Sequence, residues 1–402
     1  MAPESTDRLP ESDRVLVRYG EISLKSPGIR RYLETMLIRH LQAMLGRQAV
    51  TINRLWRERG RIFLTTPDPE AAARAAAGVF GVVSASPVWT LPPTMDGIDE
   101  WVQQHVSTFL RAGQKFAVRT RRTRTQAFTS QDLARRLGAT IMQVAAAANC
   151  PVSVDLDHPD VEVNVEVRDK NAYAFFEVFP GPGGLPYGSQ GTLVGLHSGG
   201  IDSPVAQWLL MKRGARVIPL YLDTDEPGRP RLRKRAIETG KHLAHWMPEP
   251  NPELIIIPYH ATLRRLAKTQ KPNLTCLLCK RMMYRIAAAV ANQEGAVGLV
   301  TGENLGQVAS QTLTNLVLLD QTISLPVFRP LIGFDKVETE QLARRIGTYQ
   351  TSAKDVGICF AVPEHPAIAG TPTDVMAAEA ALDINEIVVA STEHAERIRL
   401  LE

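Results

Sequence analysis

The sequence predicts an α/β protein in which two small α+β units precede a larger domain built on a parallel sheet. Three observations carry this. Beyond Gly191, short apolar runs alternate with helical patterns, as strands joined by crossover helices do. The first half instead mixes alternating strands with amphipathic stretches in two short sets. Between the halves lies the strongest punctuation of the chain, Gly181-Pro182-Gly183-Gly184-Leu185-Pro186.

In the first unit, Val15 to Tyr19 alternates as a strand, a helical pattern spans Arg30 to Leu45, and Arg61 to Thr65 is a second strand. An Ala-rich helix from Pro69 to Ala77 and the apolar run Val79 to Val83 follow; Pro87, Pro92 and Pro93 place a boundary near residue 90. The second unit opens with a helix around Gly97 to Ala112. A strand from Lys115 to Arg119, a basic loop, and a helix from an N-cap at Ser130 to Asn149 come next. Val161 to Val167 and Ala172 to Phe179 alternate as a hairpin pair. The expected domains are residues 1–90, 91–180 and 181–402. In the last, the expected strands are Leu193–Leu196, Val217–Leu222, Leu254–Pro258 and Val297–Thr301, all apolar enough to be covered on both faces.

A chain of 402 residues, 44% hydrophobic and 22% charged, is neither a disordered polymer nor a disulfide scaffold, and it exceeds what one core organises. No run approaches the roughly eighteen apolar residues of a spanning helix. The polar start carries no apolar signal core, so a cytoplasmic protein without membrane contact is expected. Four cysteines are too few for a secreted framework, and the spacing Cys276-Leu277-Leu278-Cys279 points to metal or redox chemistry.

The net charge of +4 says little, but its distribution says more. Between Arg111 and Arg136 eight Lys or Arg face one acid, Asp132. Such clustering is either a solvated basic face or a phosphate-contacting surface, and Arg119, Arg121, Arg122 and Arg124 are the candidate RNA-binding residues.

The first strand of the last domain runs into Ser198-Gly199-Gly200-Ile201-Asp202-Ser203-Pro204 and then a helix ending before Gly214. Strand, glycine turn and helix N-terminus make an anion site: backbone N–H groups converge and the helix dipole adds positive potential. Neither the Walker pattern nor G-x-G-x-x-G is present, so those nucleotide sites are excluded. A second polar motif, Thr301-Gly302-Glu303-Asn304, follows another strand; its continuation, Leu305 to Thr312, is polar for a buried helix.

The S-G-G-x-D-S loop resembles the PP-loop of the ATP pyrophosphatases. With HSGGIDSPVAQWLLMKRG, TGENLGQVASQTLTNL and RPLIGFDKVE in order, the chain is similar to the tRNA 4-thiouridine synthetase (tRNA sulfurtransferase) family. Tyr19-Gly20-Glu21-Ile22-Ser23-Leu24-Lys25 resembles the family's opening strand, and Phe128-Thr129-Ser130 its THUMP domain. The resemblance implies a ferredoxin-like domain, a THUMP domain that binds tRNA, and a PP-loop (adenine nucleotide α-hydrolase-like) catalytic domain. It implies an enzyme that adenylates the uridine at position eight of tRNA with ATP and Mg²⁺ and then transfers sulfur to give 4-thiouridine.

By that resemblance Ser198, Gly199, Gly200, Ile201 and Ser203 belong to the ATP site, joined by Gly302 and Gln311, and Asp202 holds Mg²⁺ on the phosphates. Lys336 is a candidate to neutralise phosphate charge, the alternative being a solvated lysine at a helix start. Many relatives end in a rhodanese domain with a sulfur-relay cysteine; the chain resembles the short form without it. Cys276 and Cys279 at a helix start, with Cys359, are similar to cluster-containing thiolation enzymes, in which three cysteines hold an iron–sulfur cluster. Zinc with His260, or catalytic thiols with Cys359 carrying a persulfide, are the alternatives, as is a PP-loop ligase acting on another substrate. Cys150 is expected to be structural. The expected partners are tRNA and a sulfur donor, either a cysteine desulfurase or sulfide. A homodimer would let one tRNA touch the THUMP domain of one subunit and the active site of the other.

Overall fold

The computed structural model describes residues 12–401 apart from 59, 124, 125, 270 and 358. The chain divides into two compact units, Met1–Gly183 and Gly184–Glu402. In the first, the elements are β1 (Arg14–Tyr19), α1 (Pro27–Arg47), β2 (Arg54–Glu58), β3 (Arg61–Thr65), α2 (Pro69–Ala76), β4 (Val82–Leu91) and α3 (Met95–Phe109). There follow β5 (Lys115–Arg122), α4 (Ser130–Ala147), β6 (Ser153–Val154), β7 (Val161–Val167), β8 (Ala172–Phe175) and β9 (Phe179–Pro180).

These strands form one sheet in the order β2-β3-β1-β4-β8-β7-β5-β6, with β9 also paired to β4. The long β4 serves both halves. Its Val82 to Val88 stretch pairs with β1, and Trp89 to Leu91 pair with β8. The strand runs through Pro87, so the expected boundary near residue 90 coincides with the end of β4 rather than with a break in the sheet. Leu16, Phe63, Val88 and Tyr173 are fully buried on one stretch of this sheet. Ile98 and Val102 of α3 meet Leu133, Leu137 and Ile141 of α4 over another.

Three local expectations are corrected here. Helix α4 is capped by Thr129 rather than Ser130: Thr129 Oγ1 accepts from Asp132 N–H at 3.1 Å while the Asp132 carboxylate accepts from Thr129 N–H at 3.0 Å. Strand β5 continues to Arg122, because its parallel register with β7 persists to Arg122↔Val167, so Arg121 and Arg122 are strand residues rather than loop residues. The partner of β7 ends at Phe175. Phe176 leaves the strand to pack among Trp89, Trp101 and Phe109, and Phe179–Pro180 forms a separate pairing with β4.

The second unit contains β10 (Thr192–Leu196), α5 (Asp202–Lys212), β11 (Arg216–Asp223), α6 (Arg231–Ala244), β12 (Glu253–Pro258), α7 (His260–Ala267), α8 (Thr275–Gln293) and β13 (Leu299–Val300). After them come α9 (Leu313–Asp320), β14 (Val327–Phe328), α10 (Lys336–Arg345), α11 (Tyr349–Ser352), α12 (Pro372–Glu379), α13 (Ile384–Glu393) and β15 (Glu396–Arg399). The sheet order is β14-β13-β10-β11-β12-β15; every pairing is parallel except the last, where β15 closes the edge antiparallel to β12. Val194, Leu220, Ile255 and Ile257 are packed under α7 and α8. The expected strand Val297–Thr301 shrinks to Leu299–Val300, since Val297 is exposed. Leu305 to Thr312 is a loop with one short turn at Ala309–Gln311, not a helix.

Candidate active site

In the order β13-β10-β11 the next strand in sequence, β11, lies on one side of β10 and the later β13 on the other, so the strand order reverses between β10 and β13. Such a switch point opens a crevice at the carboxyl ends of the strands. A cavity of about 340 Å³ lies there. His197 and Ser198 enter it from β10, Leu222 and Thr224 from β11, and Thr301, Gly302 and Glu303 from β13.

The turn after β10 is held by its own serines. Ser198 N–H donates to Ser203 Oγ at 3.1 Å, Gly200 N–H donates to Ser198 Oγ at 3.3 Å, and the two hydroxyls lie 3.2 Å apart. Gly199 has φ +72°, and a Cβ there would lie 2.7 Å from Ala236 Cα. Gly302 is needed for another reason: its Cβ would sit 2.8 Å from the Asp202 carbonyl carbon and the Ser203 nitrogen. The two polar motifs therefore touch backbone to backbone. His197 beneath them is fully buried and its pKa is pushed down to about 4 by that burial, so it stays neutral. Its Nε2–H donates to Ala236 O at 3.0 Å, which leaves Nδ1 to accept from Gln207 Nε2 at 3.3 Å.

Asp202 opens α5, and both its oxygens are engaged. Lys336 Nζ donates to Oδ1 and Gln307 Nε2 to Oδ2, each at 3.0 Å. Lys336 is the first residue of α10, whose cap Asp335 accepts from Glu338 N–H at 2.8 Å. Of the expected ATP-site residues, Ser198, Asp202, Ser203, Gly302 and Gln311 line the cavity; Gly199, Gly200 and Ile201 belong to the turn beside it. As a ligand set for Mg²⁺ the residues fit in kind: a carboxylate and two hydroxyls are the hard oxygen donors that cation takes.

The wall of the cavity holds a cluster around Glu303 whose convergence sequence reasoning misses. Glu303 accepts from Lys280 Nζ at 3.1 Å, Tyr284 Oη at 2.5 Å, Thr301 Oγ1 at 3.1 Å and Arg329 Nε at 2.8 Å. Burial would raise its pKa, but Lys280 and Arg329 bring it below the ordinary glutamate value, so it is an anion. The available signals are the lysine directly after Cys279 and the arginine opening RPLIGFDK. Arg235, on α6, also lines the cavity, and no motif marks it.

Cys276 and Cys279 are the second and fifth residues of α8, and Cys359 lies in the segment after α11; all three are partly buried free thiols. Burial raises the pKa of Cys276 and pushes that of Cys279 up to about 12, and the neighbouring Cys359 adds to both shifts. Three thiols are the soft donors that iron takes. Among the described residues, however, no three His, Cys, Asp or Glu side chains stand close enough together to hold a metal ion. His260 Nδ1 bonds Thr224 O at 3.2 Å and its ring packs on Phe360 with centroids 5.0 Å apart, next to Cys359 in sequence. Cys150 lies just beyond α4, its N–H bonded to Ala145 O at 2.9 Å.

In the first unit, Arg119 and Arg121 line a separate cleft with Arg18. Arg119 Nε is 3.1 Å from Glu162 Oε1, so its charge is partly matched. Arg122 donates to its neighbour's carbonyl, Thr123 O, at 3.2 Å. Arg124, the fourth candidate, lies outside the described residues. Among them, no helix is long and apolar enough to cross a membrane.

Comparison with known proteins follows the same order along the chain. The ThiI ferredoxin-like domain matches residues 14–86, the THUMP domain residues 93–177, and the family described as thiamine biosynthesis protein (ThiI) residues 188–384. A probable tRNA sulfurtransferase of Methanosarcina mazei is 40% identical over 97% of this chain and 96% of its own. One from Halobacterium salinarum is 40% identical over 92% of this chain and 93% of its own. The crystal structure of a 4-thiouridine synthetase–RNA complex with bound ATP is similar with a TM-score of 0.79 and 28% identity, covering 96% of this chain and 99% of that one. With full-length relatives at this identity, and with the three domains in this sequence, the chain belongs to the tRNA sulfurtransferase family.

Proposed function

We propose that the protein thiolates tRNA in two steps, adenylating O4 of the uridine at position eight with ATP and replacing the adenylated oxygen with sulfur to give 4-thiouridine. The single observation that carries this is the joining of Asp202 and Lys336 at the edge of the switch-point cavity, beside the serine and glycine turn. A uracil carbonyl oxygen is a poor leaving group. Attack of O4 on the α-phosphorus, with release of pyrophosphate, converts it to AMP, a good one. Sulfur then attacks C4 and the C4–O bond breaks.

In this reading the turn from Ser198 to Ser203 receives the leaving pyrophosphate on its N–H groups. Asp202 with the Ser198 and Ser203 hydroxyls would hold Mg²⁺, which supplies neutralisation of phosphate charge. Lys336 supplies a fixed positive charge where the α-phosphate becomes more negative. Cys276, Cys279 and Cys359 would hold an iron–sulfur cluster, which supplies a site for the transferable sulfur. A second reading places a persulfide on Cys359, which stands beside Cys276 and Cys279, and needs no cluster. The basic strand end at Arg121 and Arg122 contacts tRNA phosphates in both. ATP–pyrophosphate exchange in the presence of tRNA tests the proposal. Exchange that depends on tRNA supports adenylation of the tRNA itself, and exchange driven instead by a small amide or carboxylate substrate would identify a different PP-loop ligase.

A further inference from the structure

Arg235 stands where the cavity meets the segment that leads to Cys359. Its helix, α6, packs on the glycine turn: Gly199 abuts Ala236, His197 Nε2–H donates to Ala236 O, and the Thr239 hydroxyl, which donates to Arg235 O at 2.7 Å, lies 3.3 Å from Gly199 O. The position of Arg235 relative to the turn is therefore set by backbone packing. Arg235 lines the cavity together with Ser198, Asp202 and Lys280. One nitrogen, NH1, donates to the carbonyl of Lys354 at 3.3 Å, 119 positions further along the chain. The buried Nε–H has no hydrogen-bond partner among the described residues. Burial lowers the pKa of the group, but an arginine remains a cation at any physiological pH.

A half-buried guanidinium with one idle buried donor, at the wall of a cavity suited to anions, is under-satisfied as it stands. An anion in the cavity is drawn to this charge. The planar fork of arginine can serve a phosphate oxygen with one edge and a carbonyl with another, which a lysine ammonium on its flexible stem does less well.

We propose that Arg235 is a phosphate contact that ties occupancy of the nucleotide cavity to the placement of the segment carrying Cys359. With a nucleoside triphosphate bound, the guanidinium charge holds a phosphate while NH1 keeps Lys354 O, so the segment is held most firmly when the activating nucleotide is present. The sulfur-transfer side of the site is thereby assembled around a loaded cavity. This inference rests on the reading of the cavity as an ATP site.

The test is amide hydrogen exchange of the full-length protein with and without the non-cleavable α,β-methylene analogue of ATP, paired with calorimetric affinity for that analogue. In the unmodified protein the analogue should slow exchange both in the turn at Ser198 to Ser203 and in the segment after Lys354, each by severalfold. Arg235→Ala should bind the analogue on the order of tenfold more weakly, as removal of one charge-assisted hydrogen bond does. At saturating analogue it should keep protection of the turn but not that of the segment. Arg235→Lys keeps the charge and provides a milder change should the alanine variant fail to fold; it should bind nearly as well as the unmodified protein and still fail to protect the stretch beyond Lys354. Equal protection of that segment in either folded variant overturns the coupling, and unchanged affinity in Arg235→Ala overturns the phosphate contact. Failure of the analogue to protect the turn of the unmodified protein would instead overturn the ATP reading itself.

Discussion

Lys336 Nζ meets Asp202 Oδ1 at 3.0 Å across 134 positions of sequence, so the last motif of the catalytic unit closes on the first. Both side chains are partly open to solvent, at 44% and 24%. An ion pair this accessible contributes about 0–1 kcal/mol to folding. Its value lies in placing a cation and an anion at one edge of the cavity.

Asp202→Ala should therefore abolish ATP–pyrophosphate exchange and thiolation while tRNA affinity stays within about twofold, because it removes no basic surface. Filter binding of tRNA alongside the exchange assay decides it. An affinity as weak as that of an Arg121/Arg122 double alanine variant would show that the two sites are not separate.

Lys336→Ala should lower kcat by a factor on the order of a hundred with little change in melting temperature, as removal of one preorganised charge does elsewhere. Lys336→Arg should recover part of that rate. Thermal unfolding that shifts by many degrees with no effect on the rate would make Lys336 a structural residue.

Replacing Arg121 and Arg122 by alanine should weaken tRNA binding and flatten its salt dependence by about 0.7 to 0.9 in logarithmic slope for each phosphate left without its arginine. Arg119→Ala should do less, since Glu162 already matches that charge. Titrations across a range of KCl concentrations measure both, and an unchanged slope in the double variant would remove this strand end from the RNA surface.

Cys276, Cys279 and Cys359 should behave as one unit: alanine at any of them leaves adenylation intact and stops sulfur transfer, with disappearance of iron and labile sulfide. Cys150→Ala should keep both. If the Cys276 and Cys279 variants stay active without iron and only Cys359→Ala is dead, the persulfide route is the correct one.

Glu379 takes two arginines, Arg281 Nε at 2.7 Å and Arg285 NH1 at 2.6 Å, and although burial opposes it these partners bring its pKa down to about 2. A folded pKa below the unfolded value of about 4.5 gives stability that is complete above pH 4.5 and fades as pH falls toward 2. Glu379→Gln should thus destabilise by about 3 kcal/mol at pH 7. The gap from the unmodified protein should narrow at pH 3. Urea midpoints at the two pH values give the answer, and a gap independent of pH would contradict the ion-pair account.

Much of the catalytic unit is legible without coordinates. The alternation of Leu193–Leu196 and Val217–Leu222 with helical stretches specifies the parallel sheet, because strands buried on both faces are apolar throughout. The S-G-G-x-D-S turn marks one wall of the cavity for a local reason, since glycine and helix start are adjacent in sequence. What escapes detection depends on distance. Glu303 reads as part of a motif, but its four partners come from α8, the strand end and Arg329, and nothing in their spacing announces a common centre. Arg235 looks like any other basic residue of an amphipathic helix until α6 is laid on Gly199. The strand limits fail where pairing overrides pattern: β5 keeps its register through Arg121 and Arg122 although their charge reads as loop.

The shared strand β4 has a consequence for how the first unit works. Two small modules joined by a flexible tether would have to be ordered at the moment a ligand engaged both. A single ten-residue strand that is hydrogen-bonded to β1 along one part and to β8 along the next leaves no tether to bend. The ferredoxin-like and THUMP modules are therefore joined through a strand both share, and an RNA that touched both would meet a surface whose ordering entropy had already been removed during folding.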